Sequence, residues 1–202
     1  MRLLAISNPE FFPDEAEIIN RLFSEGLLCL HLRKPESNEQ EYRALITQIS
    51  PQFLERISIH QHHQLAEEFG IKRLHFTENR RKIASEESLE SLTESGFTLS
   101  TSIHGLVEMT HLSSHFSYTF FGPVFDSISK TGYKSVLTKD FSLKNKTRRI
   151  QIMALGGIDI TNIDQVKKMD FDGAAILGTL WKSPQHAIKK FTDLNLKSPS
   201  QP

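Results

Sequence analysis

Short apolar runs of four to six residues alternate along the chain with longer stretches whose apolar residues recur at helical spacing. Residues 2–7 (RLLAIS) read as a buried strand, broken by Asn8-Pro9 and Pro13. Residues 14–25 then carry Ala16, Ile18, Ile19, Leu22 and Phe23 close to a helical period, with Gly26 as the stop. Residues 27–32 (LLCLHL) predict a second strand. Ser37, three residues before Gln40, has the spacing of a capping box and opens a helix striped by Tyr42, Leu45, Ile46 and Ile49. The unit repeats: strand 57–60 with helix 64–69, strand 73–76 with helix 85–94, and strand 97–102 with helix 106–112. Strand 118–121 leads into a Gly/Pro/Ser loop that ends near residue 135, before a weak helix. Strand 150–155 precedes Gly156-Gly157 and helix 161–169; strand 173–177 precedes Gly178 and helix 184–194.

About eight strand–helix units with no break in composition predict one domain over residues 1–196, an α/β chain folded as a (β/α)8 TIM barrel. A doubly wound sheet is the competing architecture, but it has about five or six strands. Residues 197–202 read as a frayed tail.

Composition narrows the function. Of 202 residues, 38% are hydrophobic, and 24 Lys+Arg balance 24 Asp+Glu, so no net field recruits nucleic acid or an anionic membrane. The single cysteine, Cys29, excludes an internal disulfide and a cysteine-based zinc site. No apolar run nears the roughly 18 residues of a membrane span, and the first residues do not resemble a signal peptide. The expectation is a soluble, cytoplasmic, single-domain protein.

A barrel places its site at the carboxyl ends of its strands. Those positions hold Ser7, His31, Arg33, His60, Gln61, His75, Glu78, Ser102, His104, Ser127, Ser129 and Lys130, closed by Gly156, Gly157 and Gly178. Loops after the seventh and eighth strands often bind phosphate, because backbone amides close around oxygens where no Cβ intrudes. Gly156-Gly157 and Gly178 fit that use, or they simply turn the chain. Arg33, Lys34 and Lys130 would add cationic donors. There are nine histidines. His60, His62 and His63 suggest a metal site, but no neighbouring carboxylate or cysteine completes it, so His62 and His63 read as the start of an exposed helix and no metal ligand is assigned. His31, His75 and His104 end separate strands, so they either converge as acids and bases or serve as structural histidines.

The segments LHLRK (30–34), STSIHGLVE (100–108), FFGPVFDSISKTG (120–132), ALGGI (154–158) and DGAAILGTLW (172–181) follow one another in order and spacing that resemble the thiamine phosphate synthase/TenI family. The resemblance implies a (β/α)8 barrel. It also implies either of two activities: joining a pyrimidine methyl diphosphate to a thiazole phosphate with Mg2+, or tautomerising a thiazole carboxylate phosphate. It places Arg33 on the family's pyrophosphate-binding arginine. Ser127 and Ser129 fall on threonines beside the thiazole phosphate, Lys130 on the family lysine, and Gly157 and Gly178 in the phosphate loops.

Departures from the pattern matter as much. Pro35 stands where the family has a lysine, with Lys34 one position early. His60-Gln61 replaces an Asn-Asp pair, and a second aspartate aligns near Arg80, beside Glu78 and Asn79. Mg2+ is thus expected from the family while its carboxylates are missing. His31 replaces a glutamine, and Pro123 stands where tautomerases have histidine. Three functions follow: a synthase in which Arg33 and Lys34, with Arg80, carry the leaving-group charge while Ser127, Ser129, Lys130, Gly157 and Gly178 hold the thiazole phosphate; an isomerase using His31, His60 or His104 as acid and base; or a barrel that binds thiamine phosphate without turnover.

Overall fold

A computed structural model of the protein describes residues 1–126, 137, 141–143 and 150–198. Among these, eight strands close into a parallel barrel in sequence order. They are β1 (Arg2–Ile6), β2 (Leu30–Leu32), β3 (Ile57–Ile59), β4 (Arg73–Phe76), β5 (Thr98–Ile103), β6 (Phe116–Phe121), β7 (Gln151–Leu155) and β8 (Gly173–Ile176). β1 pairs with β2 on one side and β8 on the other, so no edge is left open. The helices are α1 (Glu15–Ser24), α2 (Glu39–Thr47), α3 (Leu65–Phe69), α4 (Glu78–Ile83), α5 (Glu86–Glu94), α6 (Ile163–Lys168), α7 (Gly178–Trp181) and α8 (Ala187–Lys197). None is long and apolar enough to cross a membrane.

The two-residue alternation of a strand sorts its side chains between two cores. Leu3 and Ala5 of β1, Ile152 and Ala154 of β7, and Ala174 and Ile176 of β8 face outward, into the layer shared with Ile19, Leu22, Phe23, Tyr42 and Ile46 of the helices. Leu4, Ile6, Tyr118, Phe120, Met153 and Ala175 form a second cluster inside the barrel. The predicted (β/α)8 barrel is therefore the observed one.

Local differences have local causes. The capping box of α2 is Asn38 with Glu41 and not Ser37 with Gln40, because the Ser37 hydroxyl donates to the Lys34 carbonyl at 2.7 Å. β2 begins at Leu30 and not Leu27, because the Leu27 amide still bonds back to Leu22 at the end of α1. Residues 106–111 form a 3-10 helix, and α6 is shorter than its predicted 161–169. α4 was not expected. It buries no residue, so it leaves no apolar stripe to read, and the Thr77 side chain caps it. α7 and a short 3-10 turn (Pro184–His186) precede α8, which begins at Ala187 and runs through Lys197. The weak helix expected after residue 135 lies outside the described residues.

Candidate active site at the barrel mouth

At the ends of β1 and β2 the Ser7 hydroxyl accepts from the Arg33 amide at 2.9 Å and donates to the Arg33 carbonyl at 3.0 Å. This double clasp fixes the backbone of Arg33. Its half-buried guanidinium has no hydrogen bond or ion pair among the described residues. The neighbouring Lys34 has the opposite fate. Its ammonium donates to both carboxylate oxygens of Glu15, at 2.7 and 2.6 Å, and to the Glu10 carbonyl at 2.8 Å. Three donors meet three acceptors, so none remains for a phosphate. Burial outweighs Lys34 in pushing the Glu15 carboxyl up to about 6, and burial likewise lowers the Lys34 ammonium. Glu15 carries no sequence signal for this pairing, which arises because β1 pairs with β2 and sets the start of α1 beside the residues that follow β2.

Inside the barrel His31, His60 and His75 meet. They come from β2, the end of β3 and β4, and are 0%, 4% and 2% exposed. His31 Nδ1 lies 3.0 Å from His60 Nε2, and the Tyr118 hydroxyl 2.7 Å from His31 Nε2. His60 stacks on His75 with ring centroids 3.9 Å apart, while His31 stands edge-on to both. His75 Nδ1 and Nε2 reach the hydroxyls of Ser100 and Ser102 at 3.0 and 3.1 Å. Burial first, then the mutual repulsion of nearby cations, holds all three rings neutral. His75 is lowered to about 3 by burial, His63 and Arg33; His31 and His60 also sit well below the ordinary value. Tyr118, which the sequence shows only as the start of strand 118–121, joins this cluster through its hydroxyl.

The other histidines are elsewhere. His62 turns away, with φ 52°, and its ring meets the Ser37 carbonyl. His63 meets the His75 carbonyl at 3.2 Å, and burial lowers it to about 4. The His60, His62 and His63 grouping is thus not the one that converges. His104 is exposed beyond β5, with Nδ1 3.0 Å from the Gly122 carbonyl, so of His31, His75 and His104 only the first two come together.

The residues at the family's Mg2+ positions do not fit that ion. Gln61 Oε1 accepts from the Lys34 amide at 3.1 Å, Glu78 is paired with Lys82, and Arg80 adds a positive charge. A hard divalent cation needs several free oxygens there.

Gly156 and Gly157 have φ of +102° and +65°. A Cβ on Gly156 would sit 2.9 Å from Pro123, and one on Gly157 would strike the Asp126 carbonyl oxygen. The reason is a knit between the loops after β6 and β7, where the Val124 amide donates to the Leu155 carbonyl and the Phe125 amide to that of Gly156. The Thr179 hydroxyl, next to Gly178, donates to the Ile158 carbonyl at 2.5 Å and ties in the loop after β8. The glycines therefore have a packing role whatever they bind. Ser127, Ser129 and Lys130 lie outside the described residues.

The family model for thiamine monophosphate synthase matches residues 3–180. The crystal structure of a thiamine phosphate pyrophosphorylase from Bacteroides thetaiotaomicron superposes with a TM-score of 0.75 at 28% identity, covering 100% of both chains. A thiamine phosphate pyrophosphorylase from Pyrococcus furiosus gives the same TM-score at 16% identity, over 96% of this chain and 94% of that one. A 3-keto-L-gulonate-6-phosphate decarboxylase from Vibrio cholerae O1 biovar El Tor gives 0.68 at 10% identity, over 97% and 96%, a likeness of fold alone. No curated protein matches the sequence. With a family model spanning nearly the whole barrel, this chain belongs to the thiamine monophosphate synthase family.

Proposed function

We propose that the chain is a thiamine phosphate synthase, which joins hydroxymethylpyrimidine diphosphate to thiazole phosphate and releases pyrophosphate. The observation that carries the reading is Arg33: a clamped backbone and an uncommitted guanidinium at the family's pyrophosphate position, beside a lysine fully neutralised within the protein. The C–O bond of the pyrimidine methyl diphosphate breaks, and its electron pair leaves with pyrophosphate. The thiazole nitrogen lone pair then forms the new C–N bond, and no proton moves. Catalysis of this kind rests on positioning and on charge stabilisation of the leaving group. Arg33 supplies that charge, and Ser127, Ser129 and Lys130 take the thiazole phosphate by their family positions.

An isomerase has less support. It needs an acid and a base that exchange protons near neutrality, whereas His31 and His60 are buried and held well below the ordinary imidazole value by burial, which leaves only His104 of its three candidates exposed.

The test is product formation from both substrates, read by mass spectrometry with Mg2+ added or withheld. Product is expected, with kcat about 100-fold lower in Arg33→Ala, the scale of losing one charge-stabilising donor. Thiazole phosphate binding without product in either condition would overturn the synthase in favour of a binding-only barrel. An Arg33→Ala enzyme at full rate would remove Arg33 from the mechanism.

A further inference from the structure

The geometry points to a three-histidine site for a divalent transition metal of the Zn2+ class, formed by His31, His60 and His75 inside the barrel. One ring nitrogen from each residue lies within 4.8 Å of the other two. A tetrahedral ion with Zn–N bonds of ~2.0–2.1 Å holds its nitrogens about 3.3 Å apart. His31 Nδ1 and His60 Nε2, now 3.0 Å apart around a shared proton, need only a slight opening for an ion to replace that proton. His75 has to swing in by at most about 1.5 Å, since no two of the three nitrogens are more than 4.8 Å apart. It is stacked and not locked by covalent or ionic contacts.

The surroundings match what metal-binding histidines require. Such a ring donates its second N–H to an oxygen that fixes its orientation. Tyr118 stands at His31 Nε2, and Ser100 and Ser102 stand at the two nitrogens of His75, so either one orients the ring when the other nitrogen is bound. Ser58, the Cα partner of His31 in the neighbouring strand, adds on the same face a fully buried hydroxyl that makes no hydrogen bond among the described residues. Three neutral imidazoles with no carboxylate favour zinc, copper, nickel or cobalt over the oxygen-seeking Mg2+. The fourth position is left for a water or an anionic oxygen. The site stands on these residues whether or not the chain is a synthase.

The experiment uses untagged full-length protein, stripped with chelator and titrated with Co2+ and then Zn2+, with no substrate present. One Co2+ per chain is expected, with the intense visible bands of a tetrahedral nitrogen-rich site, bleached by one equivalent of Zn2+. His75→Ala is expected to lose at least 100-fold in affinity, while His62→Ala and His104→Ala bind as the parent does. Because deleting a buried ring can unfold the barrel, Tyr118→Phe keeps all three rings and is expected to weaken Zn2+ about tenfold. Absence of the tetrahedral spectrum in the folded parent overturns the site. So does full affinity in a folded His75→Ala variant, or loss of binding in His62→Ala.

Discussion

The two halves of the barrel interior are built from different materials. From β6 through β8 to β1 the inward side chains Phe120, Met153, Ala175, Leu4 and Ile6 form a packed apolar wall, with Tyr118 of β6 at its border and its hydroxyl on His31. From β2 to β5 they are His31, Ser58, His60, His75 and Ser100, all buried and polar. One fold thus carries a half that stabilises by excluding water and a half held by hydrogen bonds between rings and hydroxyls. The contrast explains how a small barrel keeps a polar cluster at its centre: the apolar half and the outer layer supply the free energy that the polar half does not.

Truncating the apolar wall should cost most. Phe120→Ala, fully buried against His31, His75 and Tyr118, is expected to lose about 3–5 kcal/mol of stability in urea unfolding. A loss below 1 kcal/mol would mean that the wall is not what holds the barrel closed.

Acid should attack the polar half alone. Each imidazole protonates near 6.5 in the unfolded chain but far lower in the fold, so the unfolded state takes up more protons. Stability is fully present above pH 6.5 and is lost as pH falls toward the folded value, which is about 3 for His75. For His75 alone the loss reaches about 3 kcal/mol by pH 4. Glu15 acts in the opposite sense: its carboxyl is raised from 4.5 to about 6, so acidification from 6 to 4.5 returns about 1 kcal/mol. Three histidines outweigh one glutamate. Chelator-treated protein is therefore expected to melt steeply earlier below about pH 5, and a flat melting temperature from pH 7 to 4 would contradict the neutral, buried rings.

Gly157→Ala should be next. The left-handed backbone and the clash with the Asp126 carbonyl oxygen predict a loss of about 1–3 kcal/mol, measured by thermal melting. The smallest effect is expected from Ser102→Ala, which removes one of the two hydroxyls at His75 and costs about 1 kcal/mol. If Ser102→Ala matched Phe120→Ala, the division of labour between the halves would fail.

Periodicity made the barrel legible, because each strand is a short apolar run and most helices carry a stripe. It failed at α4, whose ENRRKI sequence buries nothing and owes its existence to a cap and its neighbours. The site was legible one strand at a time. Alternation shows which histidines share a face of one strand, but the meeting of His31, His60 and His75 depends on register between strands, with His31 opposite Ser58 and His75 opposite Ser100. No single segment encodes that. The ion pair of Lys34 is invisible in sequence for a similar reason: its partner Glu15 lies 19 residues away on α1, and the pairing of β1 with β2 brings them together.

The interlocking of the loops after β6 and β7 has a consequence for anyone who would re-engineer this mouth. Gly156 and Gly157 fit against Pro123, Phe125 and Asp126 with no room for a side chain. The two segments are therefore a single exchangeable module: a graft that replaced residues 122–126 from a relative would have to bring that relative's Gly-Gly turn with it.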